Sequence, residues 1–137
     1  VQALYEAKAI ATGSGRGGHV RSSDGVLDSA LAVPVSLGGP GGATNPEQLF
    51  AAGYAACFHS ALQLVARKAK VRVDGSQVAA VVQLGAIEGG YGLGVKLEVS
   101  VPDVERSIVD GLVAAAHQVC PYSNATRGNI DVELVVV

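Results

Sequence analysis

Methionine and tryptophan are both absent from the 137 residues. Two readily oxidised side-chain types are therefore missing, although in a small Ala/Gly/Val-rich chain this carries little weight. Cysteine is scarce, with only Cys57 and Cys120. No lysine or arginine run stands out, and the net charge is −2. That balance gives no support for nucleic acid or an anionic membrane surface as partner. No uninterrupted apolar stretch reaches the ~18 residues expected of a membrane helix. The longest candidate, Leu49 to Val65, is broken by Gly53, His59, Ser60 and Gln63. The opening VQALYEAKAIATG lacks a basic region followed by an apolar run, so no signal peptide is expected. The cytoplasm is then the expected compartment. Thiols are kept reduced there, so two cysteines are reactive or inert rather than structural bridges.

Apolar material is plentiful. Hydrophobic residues make up 49% of the chain, enough for a core without disulfides or a structural metal. The length suits one domain spanning 1–137.

Turn and periodicity signals give the element order. Leu4 to Thr12, His19 to Ser22 and Val26 to Val33 read as strands. They are separated by the glycine loop Gly13–Gly18 and the turn Ser23-Asp24-Gly25. Residues 34–45 are too rich in Gly and Pro for regular structure and read as a functional loop. Asn45-Pro46-Glu47 is a helix start: a capping side chain, proline at the first helical position, then an acid for the helix dipole. That helix is predicted to reach about Lys70. Its small residues Ala51, Ala52, Gly53, Ala55 and Ala56 let another backbone approach closely. Val78 to Ile87 and Leu93 to Val101 read as a hairpin around Gly89–Gly92. A second helix starts at Pro102-Asp103 and stops at Pro121, followed by a loop and a strand over Ile130 to Val137. The order βββ-α-ββ-α-β is α+β with mainly antiparallel pairing.

Position alone favours inert packing for either cysteine, because free cysteines are often buried as small hydrophobes. Cys57 lies in mid-helix and needs a nearby cation to become a thiolate. Arg16, in its permissive glycine loop, is the best candidate. Cys120 closes the second helix, where the dipole disfavours a thiolate. That position suits a thiol that meets a sulfenic acid better than a first nucleophile. Other chemistries stay open. Gly13-x-Gly15-x-x-Gly18 matches a dinucleotide string, but no helix follows it. Cys57, His59, His117 and Cys120 form a weak zinc set, since Cys57 and His59 point apart on a helix. A Cys–His hydrolase with His19, His59 or His117 as base is also possible.

Two longer motifs decide among these. Asn45-Pro46-Glu47-Gln48-Leu49-Phe50-Ala51-Ala52-Gly53-Tyr54-Ala55-Ala56-Cys57-Phe58 resembles the first-cysteine motif of the organic hydroperoxide resistance proteins of the Ohr/OsmC superfamily. His117-Gln118-Val119-Cys120-Pro121-Tyr122-Ser123-Asn124-Ala125-Thr126-Arg127-Gly128-Asn129 resembles the second. The resemblance covers essentially the whole chain. It implies an intertwined homodimer with central long helices and sheets around them. It also implies reduction of organic hydroperoxides, fatty acid hydroperoxides included. Cys57 would be the peroxidatic thiol and Cys120 the resolving thiol. Arg16 would be the activating cation, and Glu47 the carboxylate that orients Arg16. The implied reductant is a dihydrolipoyl group on a partner protein, or another dithiol, with no cofactor and no metal. Glu47 precedes Cys57 by ten residues on one helix, about 15 Å by helical rise. A second copy of the helix is therefore expected to bring Glu47 to the thiol. The readings left in competition are an OsmC-like stress peroxidase of other preference and a non-catalytic thiol sensor.

Overall fold

The computed structural model describes residues 1–137. It consists of two compact units, Val1–Leu49 and Phe50–Val137.

The first unit holds a three-stranded antiparallel sheet of β1 (Ala9–Thr12), β2 (His19–Ser22) and β3 (Asp28–Ala30). β1 begins five residues later than the alternation predicts. Its first residue pairs with Ser22, where β2 ends, so earlier residues face no partner strand. β2 stops there because a side-chain-built turn takes over. Asp24 Oδ1 accepts from Ser22 Oγ at 2.6 Å and from the Val26 N–H at 3.0 Å. The same turn delays β3, since the Leu27 N–H is held by Ser22 Oγ at 3.0 Å. The glycine loop carries a 3₁₀ turn, Gly15–Gly17, that presents Arg16. At Gly18 a Cβ would lie 2.0 Å from the Thr12 carbonyl oxygen, so only glycine closes this loop onto the strand.

Helix α1 (Pro46–Lys68) starts as predicted, with Asn45 Oδ1 accepting the Gln48 N–H at 2.9 Å. It ends two residues early. Lys70 takes a left-handed φ of 58°, and the Val71 N–H returns to the Ala66 carbonyl at 2.9 Å, a Schellman-type stop. An 18-residue window of α1 has mean hydropathy 1.4, so the helix is long and apolar enough to cross a membrane by length and composition. This corrects the expectation drawn from uninterrupted runs: a mean over the window tolerates Gly53, His59, Ser60 and Gln63. Part of that apolarity serves the core, because Tyr54, Phe58, Leu62 and Ala66 recur at helical spacing and are all buried.

The second unit is a sheet in the order β4 (Gln77–Ile87), β5 (Gly90–Ser100), β6 (Val132–Val136), covered by helices. β4 and β5 are an antiparallel hairpin turning at Glu88-Gly89. β5 and β6 run parallel, which requires the crossover that α2 (Arg106–Val119) and α3 (Pro121–Thr126) provide. Val95, Leu97 and Val99 alternate along β5 and point into the core. There they join the buried face of α1 and Val109, Leu112, Val113 and Ala116 of α2. α2 begins later than predicted because Asp103 has a left-handed φ of 65°. The segment after Pro121 is a helix, not a loop. Proline ends α2 and also occupies the first position of α3, where its missing N–H costs nothing.

Candidate functional site

The second unit brings the two cysteines together. They are 63 positions apart in sequence, yet Cys120 Sγ lies 3.6 Å from Cys57 Sγ, and both are free thiols. Cys57 is half-buried on α1; Cys120 is fully buried at the junction of α2 and α3. The junction fixes its backbone on both sides. Its N–H reaches the Ala116 carbonyl at 2.9 Å, and its carbonyl accepts the Asn124 N–H at 2.9 Å. Cys120 therefore ends one helix and starts another. The expectation of a free helix end beside a loop does not hold.

Burial pushes the Cys57 thiol up, the backbone N–H of Tyr122 works against it, and the neighbouring Cys120 thiol pushes it up further. The Tyr122 N–H belongs to the first turn of α3, where amides lack intrahelical partners. A helix start thus acts on a cysteine that sits in the middle of another helix. Sequence reasoning missed this, although Cys120-Pro121 is itself a helix-start signal.

A polar cluster, buried at Tyr54, Ser123 and Thr126, holds α3 in place. Tyr54 Oη lies 2.8 Å from Ser123 Oγ and 3.1 Å from Thr126 Oγ1. His117 Nδ1 lies 2.7 Å from Ser123 Oγ. Arg127 donates to the His117 carbonyl at 2.6 Å and to Asn124 Oδ1 at 2.8 Å. Tyr54 is thus a polar anchor as well as a packing residue. Its ring also meets Phe50 and Tyr122 at centroid distances of 6.1 and 5.7 Å. Beside this aromatic cluster is an apolar cavity of about 380 Å³, lined by Phe50, Pro121, Tyr122, Ala125, Thr126 and Ile130. Phe58 is fully buried in the core.

In the first unit Arg16 and Glu47 form a two-armed ion pair. Nη1 donates to Glu47 Oε2 at 2.8 Å, and Nη2 lies 2.7 Å from Oε1. The hydrogen bond from Arg16 holds the Glu47 carboxyl below its ordinary range, against the effect of burial. The same bond holds Arg16 charged. The second arm is a charge contact only: buried Oε1 accepts no hydrogen bond of good geometry. Arg16 stays partly exposed, with 43% of its side chain accessible.

The histidines are committed elsewhere. His59 faces Ser76 at 2.9 Å, His19 faces Asp28, and His117 faces Ser123. None hydrogen-bonds a cysteine, and no three His, Cys, Asp or Glu side chains gather as a metal site.

The OsmC-like protein family matches residues 39–135. An organic hydroperoxide resistance protein of Xanthomonas axonopodis pv. citri is 53% identical, over 97% of this chain and 94% of its own length. Among solved structures, an organic hydroperoxide resistance protein of Legionella pneumophila superposes with a TM-score of 0.94 at 51% identity, covering 98% of each chain. The organic hydroperoxide resistance protein OhrB of Bacillus subtilis gives 0.90 at 48% identity, covering 98% of this chain and all of its own. An α+β chain of this topology with two thiols in contact is thus an OsmC-like protein. Within that superfamily, the chain belongs to the organic hydroperoxide resistance proteins.

Proposed function

We propose that the protein is a thiol peroxidase that reduces organic hydroperoxides to alcohols. The observation that carries this reading is the contact of two reduced sulfurs at 3.6 Å. A thiolate at Cys57 attacks the terminal peroxide oxygen in line with the O–O bond. The alcohol leaves, and Cys57 becomes a sulfenic acid. Cys120 condenses with it to a disulfide, releasing water before further oxidation. A dithiol, of which a protein-borne dihydrolipoyl group is the proposed natural form, reopens the disulfide by exchange.

The protein groups have separate tasks in this scheme. Burial opposes ionisation of Cys57, so the thiolate needs a cation. Arg16, oriented by Glu47, is proposed to supply it and to stabilise charge on the departing oxygen. Ten residues of helix separate Glu47 from Cys57, about 15 Å, which supports a homodimer in which one copy's Arg16–Glu47 pair serves the other copy's thiol. The two units of each chain then work as one domain, in the cytoplasm. The apolar cavity beside Phe50 and Tyr122 supports an alkyl chain as the substrate's body.

The test is turnover of an organic hydroperoxide with a dithiol by wild type, Cys57→Ser and Cys120→Ser. Cys57→Ser is expected to lose activity. Cys120→Ser is expected to complete one turnover and then accumulate sulfinic acid at Cys57. Full activity in Cys57→Ser would overturn the reading.

A further inference from the structure

Tyr54 precedes Cys57 by three residues on α1, and His117 precedes Cys120 by three residues at the end of α2. Residues three apart share a helix face. Ser123, in α3, is hydrogen-bonded to both, at 2.8 Å to Tyr54 and 2.7 Å to His117. A polar rung, Tyr54–Ser123–His117, therefore joins the same two helices as the sulfur rung Cys57–Cys120, one turn away. Tyr54 and Ser123 are completely buried, so these hydrogen bonds have no water to replace them.

A continuous order of donors is compatible with these contacts. Burial, aided by the charge of Arg127, holds His117 below the ordinary histidine range and keeps it neutral. Its Nδ1 can then accept from Ser123, whose oxygen accepts in turn from Tyr54. Thr126 donates to the Ser123 carbonyl at 3.2 Å and fixes the same turn of α3. The backbone of Cys120 is tied to this turn through the Asn124 N–H. Where Ser123 sits therefore decides where the second sulfur sits.

We propose that Tyr54, Ser123 and His117 are positioning residues that hold Cys120 against Cys57, so that the oxidised sulfur closes to a disulfide before a second peroxide reaches it. The inference rests on the thiol-peroxidase reading. In the closing step the Cys120 sulfur bonds to the Cys57 sulfur and the Cys57 S–O bond breaks. The departing hydroxide takes the Cys120 proton and leaves as water. The oxidising equivalents come from the first peroxide, so no further oxidant is needed. The competing step adds one oxygen from a second peroxide to give the sulfinic acid. Closure is intramolecular and independent of peroxide; over-oxidation grows with it. Disulfide formation also tolerates only a narrow range of Cβ separations, about 3.5–4.5 Å, so a small drift of α3 slows closure alone.

The experiment is a titration with tert-butyl hydroperoxide, read by intact-protein mass as the ratio of disulfide to sulfinic acid, with melting temperature measured in parallel. Ser123→Ala and His117→Leu are expected to shift the half-way peroxide concentration down by about tenfold, the factor that one net hydrogen bond allows. His117→Asn keeps a polar atom near the Nδ1 position and is expected to recover most of that loss. Cys120→Ser sets the limit of no closure. Wild-type ratios in Ser123→Ala and His117→Leu would overturn the inference, as would an Asn variant no better than the Leu variant. Should Ser123→Ala not fold, the two His117 variants decide alone. Failure of wild type to oxidise at Cys57 would overturn the peroxidase reading itself. Wild-type closure with unchanged variants would overturn only the positioning role.

Discussion

The Tyr122 ring occupies the space that a side chain on Gly53 would need. A Cβ there would lie 2.9 Å from Tyr122 Oη and 3.2 Å from its ring. Gly53 is one turn before Cys57, and Tyr122 carries the N–H that favours the Cys57 thiolate. The close approach of α1 and Tyr122 therefore depends on this missing side chain. Gly53→Ala gains helix propensity, worth up to about 1 kcal/mol. Overpacking costs about 1–3 kcal/mol. Thermal unfolding is expected to show net destabilisation, and disulfide closure is expected to slow. A more stable variant with normal closure would mean that the tyrosine ring swings aside freely.

Arg16 and Glu47 meet through two arms, a geometry that lysine does not reproduce. If Arg16 activates Cys57, alkylation of Cys57 by iodoacetamide at neutral pH slows in Arg16→Ala by roughly ten- to hundredfold, as expected when a thiolate loses its cation. The rate then climbs only at a pH above the ordinary thiol range, because burial and Cys120 both push Cys57 upward. Arg16→Lys is expected to fall between Arg16→Ala and wild type, and Glu47→Gln to slow the reaction less than Arg16→Ala. An Arg16→Ala profile identical to wild type would remove arginine from the activation step.

Much of this arrangement is legible in the sequence. The Asn45-Pro46-Glu47 helix start, the Asp24 turn and the alternation of Val95, Leu97 and Val99 are local signals, and each produced its element. The misplaced boundaries have non-local or conformational causes. β1 and β3 are cut short by what β2 and its turn can pair with. Left-handed backbone at Lys70 and Asp103 sets two helix limits that residue type does not announce. The cysteine motif points to a pair, but their contact depends on α3, and Pro121 signals both the stop of α2 and the start of α3. The Tyr54–Ser123–His117 cluster is illegible in the sequence for a related reason: 69 positions separate Tyr54 from Ser123, and no sequence period connects them.

Acid should loosen the protein in two pH ranges. The folded-state pKa of Glu47 is depressed by Arg16, so the pair's stabilisation is present above the unfolded-state value. It is lost as pH falls through the lower, folded value. His117 is also depressed: unfolded chains take up its proton first as pH drops below about 6.5, and stability falls from there. Denaturant midpoints are expected to decline in two stages, one beginning near the histidine range and one in the carboxylate range. Glu47→Gln should shrink the second contribution to the part that Asp24 makes through Ser22 and the Val26 N–H, and keep the first. His117→Asn should do the reverse. A midpoint unchanged between pH 7 and pH 5 in wild type would contradict the half-buried, neutral His117.

If the apolar cavity holds the substrate's alkyl chain, it discriminates between peroxides. Its walls are Phe50 on α1 and Pro121, Tyr122, Ala125, Thr126 and Ile130 in and after α3. Hydrogen peroxide has no alkyl group to place there; a long-chain hydroperoxide does. Ala125 is exposed on α3 and does not belong to the buried core, so enlarging it fills the cavity at little cost to folding. Ala125→Phe is expected to raise KM for a fatty acid hydroperoxide about four- to fifteenfold, as for the loss of one or two buried methylenes' worth of contact. The rate with hydrogen peroxide should change little, because the sulfurs and their polar support are left in place. Comparing kcat/KM for the two peroxides in wild type and variant measures this directly. A parallel fall for both would mean that the larger ring has moved α3 and with it Cys120. No change for either would place the alkyl chain elsewhere.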